Sequence, residues 1–275
     1  MLETLILIAS GAFVGLALGL TGGGGSNFAV PLLIYAVGMT PSMAMPTALA
    51  AVAIAATVGA VHAIRRALIA WPPTLVFAAG GMLGAPAGLH LAQGIDEQIL
   101  VTGFACLALL VGSSMWWRAH RHPQDTAVVR ALPEGESSGP VCRLTQDGHL
   151  RFTAPCSLVL TLVGLATGLL AGFFGVGGGF VIVPALTLIT RMGIHGAVAT
   201  SLVVITLMAF TGSAYAIWHG QILWPILLPF AASGALAMLA GRRLATRIAG
   251  PLLQQAFAAA IILIALSMLI RIPPA

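Results

Sequence analysis

Two glycine-rich segments interrupt an otherwise apolar sequence, Gly19-Leu20-Thr21-Gly22-Gly23-Gly24-Gly25-Ser26-Asn27 and Gly172-Phe173-Phe174-Gly175-Val176-Gly177-Gly178-Gly179. Glycines at this density would destabilise a packed helix, because each costs about 1 kcal/mol relative to alanine. Glycine also permits positive φ and a close approach of the backbone to a ligand. Each segment therefore predicts a turn that breaks a helix, and a proline follows each one, at Pro31 and Pro184.

The two segments belong to an internal repeat with a constant offset of 153 residues and no gap. The same register aligns the rare Trp71-Pro72 pair with Trp224-Pro225, which composition alone would not do. Further identical pairs are Gly15 and Gly168, Gly19 and Gly172, Met39 and Met192, Thr47 and Thr200, and Gly81 and Gly234. The chain is therefore a duplicated unit, in which each residue of the first copy has a counterpart 153 positions later.

The composition is that of a membrane protein. Of the 275 residues, 59% are hydrophobic and 7% are charged, whereas soluble domains carry roughly 25% charged residues. This excludes a soluble globular enzyme, and the high hydrophobicity excludes a disordered chain. All the basic residues are arginines. A basic chain can indicate a nucleic-acid partner, but in so apolar a chain the arginines are explained by the positive-inside rule of membrane topology. We therefore expect no nucleic-acid partner.

Ten apolar segments run through the chain, at 4–20, 27–38, 43–64, 72–93, 98–117, 155–172, 178–190, 195–217, 224–245 and 251–270. Because the backbone must satisfy its own hydrogen bonds in lipid and these runs do not alternate, helices are expected. We predict an all-α polytopic membrane protein with two five-segment repeats. The first membrane repeat spans 1–118 and the second 154–275. A polar linker at 119–153 joins them, and its alternation around Asp147-Gly148 is compatible with a small β-hairpin.

The arginines favour an inverted second repeat with a cytoplasmic linker. An odd number of crossings in each half collects nearly every arginine on one side, where the positive-inside rule expects them. Four crossings would instead place the Arg242-Arg243 pair outside. The short segment 27–38 gives only about 18 Å of helix and cannot span alone. It could therefore form a hairpin with segment 4–20, which leaves three crossings and still inverts the second half.

The glycine-rich turns predict a binding site for an anion. Discontinuous helices at corresponding places in two repeats are typical of the midplane site of a transporter. A helix that begins after such a turn presents free N–H groups and the positive end of its dipole. The candidate binding residues are Gly22, Gly24, Gly25, Ser26, Asn27, Thr47, Gly175, Gly177, Gly178, Gly179, Thr200 and Ser201.

Helix packing and back-bonding are the structural alternatives to binding. Gly15, Gly19, Gly168 and Gly172 fit small-xxx-small packing between helices better than binding. Serine and threonine in apolar helices often donate to their own backbone, so Thr47 and Thr200 have both interpretations. Asn27 favours binding more strongly, because an amide is costly to bury unpaired.

In these motifs the sequence resembles the TauE/SafE sulfite exporter family of bacterial anion permeases. The second copy, from Gly172 through Pro184 and on to Ala199-Thr200-Ser201-Leu202, is closely similar, whereas the first copy diverges at Thr21 and Gly23 and in Pro46-Thr47-Ala48-Leu49. The resemblance covers nearly the whole chain outside the linker. It implies a multi-pass protein of the bacterial inner membrane that moves sulfite, a sulfonate or a related small anion, without fixing which one.

Other functions lack the residues that they require. No span contains Asp or Glu, no GxxxxGK[ST] motif is present, and the cysteines lack metal-ligand spacing. The linker histidines His120, His122 and His149 could bind a metal, but no carboxylate or cysteine completes a ligand set, which favours solvated side chains. We therefore expect no enzyme activity, cofactor or metal, and the cysteines suggest no disulfide framework. The alternative is a non-transporting membrane scaffold that binds a partner through the linker. Transport direction, ion coupling and oligomeric state, a homodimer included, stay open at this point.

Overall fold

A computed structural model describes residues 2–66, 69–121, 143–144, 150–151, 154–190, 194–248 and 251–271. In the first repeat these residues form α1 (Leu2–Thr21), a 3-10 helix (Gly24–Phe28), α2 (Ala29–Tyr35), α3 (Pro41–Arg65), α4 (Trp71–Ala92) and α5 (Glu97–Arg121). In the second repeat they form α6 (Ala154–Phe174), α7 (Gly179–Thr190), α8 (Ile194–Trp218), α9 (Trp224–Ile248) and α10 (Pro251–Arg271). Each predicted apolar segment is thus helical.

Seven helices in the described residues are long and apolar enough to cross a membrane, namely α1, α3, α4, α5, α6, α8 and α9. In α10 the apolar stretch is shorter, at Gln255–Ile270. Both helices that follow the glycine-rich turns are short: α2 has 7 residues and α7 has 12. The first turn is also more regular than the sequence suggested, because Gly24–Phe28 forms a 3-10 helix whose residues are all buried.

The linker contains one pair of short strands. Strand β1 (Arg143–Leu144) pairs antiparallel with β2 (Leu150–Arg151), with Arg143 opposite Arg151 and Leu144 opposite Leu150. The Asp147-Gly148 pair around which we expected a turn lies outside the described residues.

Helices α3 and α8 form the centre of the molecule. About two thirds or more of each apolar span is buried, 67% in α3 and 72% in α8, against 28% in α5. The two helices run antiparallel. Gly59, late in α3, faces Leu202, early in α8, while Leu49, early in α3, faces Gly212, late in α8. These two contacts are counterparts of each other, because each residue of the second contact lies 153 positions from one of the first.

Glycines on α1 and α6 form close contacts with the opposite repeat. Gly11, Gly15 and Gly19 of α1 pack in order against Phe230, Gly234 and Met238 of α9. Their counterparts Gly164, Gly168 and Gly172 of α6 pack in the same order against Phe77, Gly81 and Ala85 of α4. A Cβ atom at these positions would collide with backbone, so the small-residue packing expected for Gly15, Gly19, Gly168 and Gly172 is confirmed.

The expectation of no disulfide is wrong, because Cys156 is disulfide-bonded and buried. Disulfide formation depends on the distance between Cα atoms in the folded chain, which spacing in the sequence does not report. Cys106 is a free cysteine on the exposed surface of α5.

Candidate functional site

The two glycine-rich turns meet each other. A Cβ atom added at Gly23 would lie 2.8 Å from the carbonyl oxygen of Gly179, and one added at Gly179 would lie 2.6 Å from the Cα of Gly23. Real Cβ atoms do not approach backbone this closely, so the contact requires glycine on both sides. Gly23 was not among the predicted site residues. Its signal was present in the sequence, as part of an unbroken run of four glycines.

The meeting point lies near the middle of the central helices. Gly177 faces Val52 and Ile205, which are counterparts close to the midpoints of α3 and α8, and its added Cβ would lie 3.7 Å from the Cβ of Ser26. Ile205 also faces Gly179. The glycines, Ser26 and the first residue of α7 are therefore gathered halfway along the two most buried helices.

Each turn is held by the central helix of the other repeat. Gly22 faces Val198 near the start of α8, and its counterpart Gly175 faces Met45, the counterpart of Val198, near the start of α3. Gly22 has φ 73° and Gly175 has φ 69°, in the left-handed region that L side chains rarely adopt. Sequence and geometry agree here, because both the conformation and the close contact demand glycine.

Three other predicted glycines face neither the opposite turn nor the central helix of the other repeat. Gly25 packs back onto Leu18 of α1, and its counterpart Gly178 packs back onto Ala171 of α6. Gly24 lies beside the Thr21 hydroxyl. That hydroxyl accepts a hydrogen bond from the Gly25 N–H at 3.1 Å, so this amide is already used within the turn. These glycines shape the turns.

Three of the predicted side chains donate to backbone carbonyls. Ser26 Oγ donates to the Gly23 carbonyl at 2.8 Å, and Thr47 Oγ1 donates to the Met43 carbonyl at 2.7 Å. Ser201 Oγ is 3.0 Å from the Gly22 carbonyl and 2.8 Å from the Val198 carbonyl, so it ties α8 to the first turn. For Thr47 the structure thus matches the alternative of back-bonding to its own helix.

Asn27 and Thr200 differ from these three. Both are buried, with exposed fractions of 5% and 0%. Asn27 Nδ2 and Thr200 Oγ1 nevertheless have no hydrogen-bond partner in the described part of the chain. An unpaired buried donor costs about 1–3 kcal/mol. In the chain both residues are next to residues that contact the turns, since Asn27 follows Ser26 and Thr200 precedes Ser201.

Charged side chains lie at two opposite faces of the molecule. At the end of α3, Arg65 and Arg66 lie near His62, together with Arg242 and Arg243 of α9, and we call these four arginines the arginine face. At the start of α3, Ser42 Oγ donates to Glu97 Oε1 at 2.7 Å. Glu3, near the start of α9, and Asp96 complete this carboxylate face. No group of three metal-ligating side chains occurs in the described residues.

Two cavities lie away from the glycine turns. One, of about 490 Å³, is an apolar groove on α3 between Ile54 and Arg65 that also touches Phe210 and Leu239. The other, of about 310 Å³, lies between the starts of α1 and α9 near Glu3. Neither is lined by a residue of the predicted site, whose glycines and side chains are packed together.

Comparison with known proteins gives one family. The family model of the sulfite exporter TauE/SafE matches residues 7–268. Two relatives described as probable membrane transporter proteins, from Xylella fastidiosa strains Temecula1 and 9a5c, are 32% and 33% identical over 97% of this chain and 95% of their own length. A probable membrane transporter protein of Bacillus subtilis is 25% identical over 80% of each chain. No solved structure matches the chain significantly.

The family match confirms the resemblance found in the glycine motifs, and it covers both repeats and the linker between them. The apolar helices and the bacterial relatives together make the chain a multi-pass transporter of the bacterial inner membrane. The chain belongs to the TauE/SafE sulfite exporter family.

Proposed function

We propose that the chain is a permease for a small anion, namely sulfite, a sulfonate or a related sulfur-containing or organic anion. The anion is held near the midplane, where the two glycine turns meet. The observation that carries this proposal is a pair of buried donors, Asn27 Nδ2 and Thr200 Oγ1, that find no partner among the described residues and that adjoin Ser26 and Ser201 in the chain. A bound oxyanion would accept hydrogen bonds from both donors and remove the cost of burying them unpaired.

Neutral donors suit a substrate that must also be released. Helix α7 begins at Gly179, directly at the junction. The N–H groups of Val181 and Ile182 donate to the Gly178 carbonyl, which leaves those of the first two residues of α7 without an acceptor in the helix, and the helix dipole favours an anion there. Hydroxyl, amide and helix dipole together hold a negative charge without a fixed cation. Ser26 and Ser201 hold the first turn in place, Thr47 donates within α3, and the glycines let the two turns approach.

The proposed membrane topology is an inverted repeat. The antiparallel contacts of α3 with its counterpart α8 support this topology. When two equivalent helices cross a membrane in opposite directions, the second repeat is inverted relative to the first. The short helices α2 and α7 return from the middle of the molecule toward the start of α3 and the end of α3, respectively. Each forms a re-entrant hairpin with the long helix before it, as the midplane sites of secondary transporters require.

The test is anion flux in proteoliposomes that contain the purified protein. Sulfite, sulfoacetate and acetate are offered in turn, and wild type is compared with Asn27→Ala and Thr200→Ala. We expect at least a tenfold loss of flux for the transported anion in each variant, since each loses a hydrogen bond to a charged ligand worth about 1.5–3 kcal/mol. Thr200→Ser, which keeps the hydroxyl, should retain most of the flux.

Two controls sharpen this test. Thr206→Ala removes a buried hydroxyl from the same helix, but this hydroxyl donates to the Leu202 carbonyl at 2.7 Å, so flux should stay within about twofold of wild type. Thr47→Ala should behave in the same way, because Thr47 is bonded to Met43. If Asn27→Ala and Thr200→Ala both transport normally, the proposed site is wrong. If wild type moves none of the anions, the proposed anion permease is wrong.

A further inference from the structure

Arg242 is a half-buried cation that the proposed site does not use. It lies in α9, and its guanidinium Nη1 donates a hydrogen bond to the carbonyl oxygen of Gly59 in α3. The next residue, Arg243, is exposed. The two adjacent arginines therefore differ, because only the Arg242 side chain turns inward, across the boundary between the repeats. An arginine that only sets the membrane topology can stay at the surface, as Arg243 does.

The surroundings of Arg242 contain no counter-charge in the described residues. Its charged and titratable neighbours are His62 and Arg66, and Arg65 and Arg243 also lie near His62. The three described carboxylates belong to the opposite face. A neutral carbonyl satisfies one N–H of the guanidinium but does not neutralise its charge. Buried charges are normally paired, because removing a cation from water without a partner is costly.

Arg242 also lies close to the first glycine turn. Gly59, its hydrogen-bond partner, faces Leu202, which directly follows Ser201 in α8. On the other side, Arg242 packs against Gly19, which lies three residues before Gly22. A Cβ atom added at Gly19 would be 3.0 Å from the backbone nitrogen of Arg242. Arg242 is therefore packed against both segments that lead to the proposed midplane site, on the side of the arginine face.

We infer that Arg242 forms a second binding site for the transported anion, between the arginine face and the midplane. This inference rests on the proposed function and adds to it a residue and a place on the pathway. The ligand is a small oxyanion, whose oxygens match the forked N–H groups of a guanidinium and supply the missing counter-charge. The anion occupies this site on its way between the arginine face and Asn27 and Thr200.

The test uses Arg242→Gln with Arg243→Gln as its matched control. Arg242→Gln removes the charge and replaces the guanidinium with a shorter, neutral amide. Arg243→Gln removes the same charge from the exposed neighbour. Binding of sulfite, sulfoacetate and acetate to the full-length protein in detergent is measured by calorimetry. Flux is measured in oriented proteoliposomes with the anion supplied from either face.

We expect Arg242→Gln to weaken anion binding by at least tenfold, which corresponds to the loss of one charged hydrogen bond of about 1.5–3 kcal/mol. The KM should rise by a similar factor when the anion is supplied from the arginine face, and by less from the carboxylate face. Arg243→Gln should stay within about twofold of wild type. Arg242→Lys, which keeps the charge but loses the fork, should fall between wild type and Arg242→Gln, and it replaces the glutamine variant should that one fail to fold.

The outcomes separate this inference from the proposed function. If Arg242→Gln transports like wild type, with unchanged anion binding and an unchanged KM, the role of Arg242 is overturned and the proposed permease stands. Anion binding that depends on Arg242 in a protein that transports none of the anions supports the second site and overturns the permease. Equal losses in Arg242→Gln and Arg243→Gln indicate a general surface charge effect and overturn the inference, as does an absence of anion binding in wild type.

Discussion

The two repeats place a threonine at equivalent positions but give the two hydroxyls different environments. Thr47 donates to the carbonyl four residues earlier in α3, as threonines in apolar helices commonly do. Thr200 has no such partner. The polar residues beside the turns are also unequal, because Ser26 and Asn27 have Gly179 and Phe180 as their counterparts. The two repeats therefore differ in polar side chains beside the turns, although their glycines correspond.

At the residue scale, Gly179→Ala should separate the two turns. Its new Cβ atom would meet the Cα of Gly23 at 2.6 Å, and two backbones cannot yield as a flexible side chain can. We expect a loss of stability of about 1–3 kcal/mol, as overpacking produces, together with at least a tenfold loss of flux. Thermal unfolding in detergent and proteoliposome flux measure the two effects.

Gly196→Ala is the control for that substitution. Gly196 lies in α8, and a Cβ atom added there meets nothing within 4 Å. This variant should be neutral or slightly stabilising, because alanine is a better helix former than glycine. If both variants behave like wild type, the close contact between the turns does not limit the fold or the activity.

At the scale of helices, the glycine-lined pairs α1 with α9 and α6 with α4 join the repeats. Lipid tails are as apolar as leucine, so helices in a membrane associate through close van der Waals packing and not through the hydrophobic effect. Glycine spacing on α1 and α6 allows this approach. As a result, each pair contains one helix from each repeat, and neither repeat forms a separate packing unit.

Gly15 and Gly234 face each other in the first of these pairs but should tolerate alanine differently. A Cβ atom at Gly15 would collide with the Gly234 carbonyl, whereas one at Gly234 would lie 3.2 Å from the Gly11 carbonyl. Gly15→Ala should therefore lower stability by about 1–3 kcal/mol, and Gly234→Ala by less than about 1 kcal/mol. Unfolding in detergent micelles measures both.

The counterpart of Gly15 provides a check within the same molecule. Gly168 makes the equivalent contact with Gly81, so Gly168→Ala should match Gly15→Ala. Equal effects of Gly15→Ala and Gly234→Ala would contradict this account of the interface.

At the scale of the whole molecule, the distribution of charged side chains agrees with the antiparallel arrangement of α3 and α8. Arg65 and Arg66 at the end of α3 share a face with Arg242 and Arg243 of α9. At the opposite face, His90 Nδ1 at the end of α4 lies 2.9 Å from Tyr215 Oη near the end of α8. The ends of α3 and α8 therefore lie on opposite sides, and from the positive-inside rule we expect the arginine face to lie in the cytoplasm.

Single-cysteine labelling in cells tests this orientation. Thr40→Cys and His219→Cys are introduced into a chain in which the three native cysteines are replaced, and a membrane-impermeant maleimide is added outside. Both positions should react, because the start of α3 and the end of α8 lie on the periplasmic side in an inverted repeat. Arg66→Cys should react only after the cells are permeabilised. A parallel second repeat would instead make His219→Cys react together with Arg66→Cys.

Much of this architecture is readable from the sequence, because the membrane imposes simple rules on it. Hydrocarbon thickness and backbone hydrogen bonding require long apolar helices, so the segment boundaries agree with the helices to within a few residues. The glycines of the two repeats correspond at a constant offset, as gene duplication leaves them. This correspondence predicts that equivalent contacts will occur twice. The close similarity of the second turn also identified the family.

Only the tertiary structure decides which atoms are used and which are left without partners. Thr47 and Thr200 are alike in sequence, and nothing local predicts that one hydroxyl is bonded and the other is not. Gly23 meets Gly179, and Arg242 turns toward Gly59, across distances of more than 150 residues along the chain. Periodicity and propensity act over a few residues, whereas hydrogen-bond partners and uncompensated charge depend on which helices become neighbours after folding.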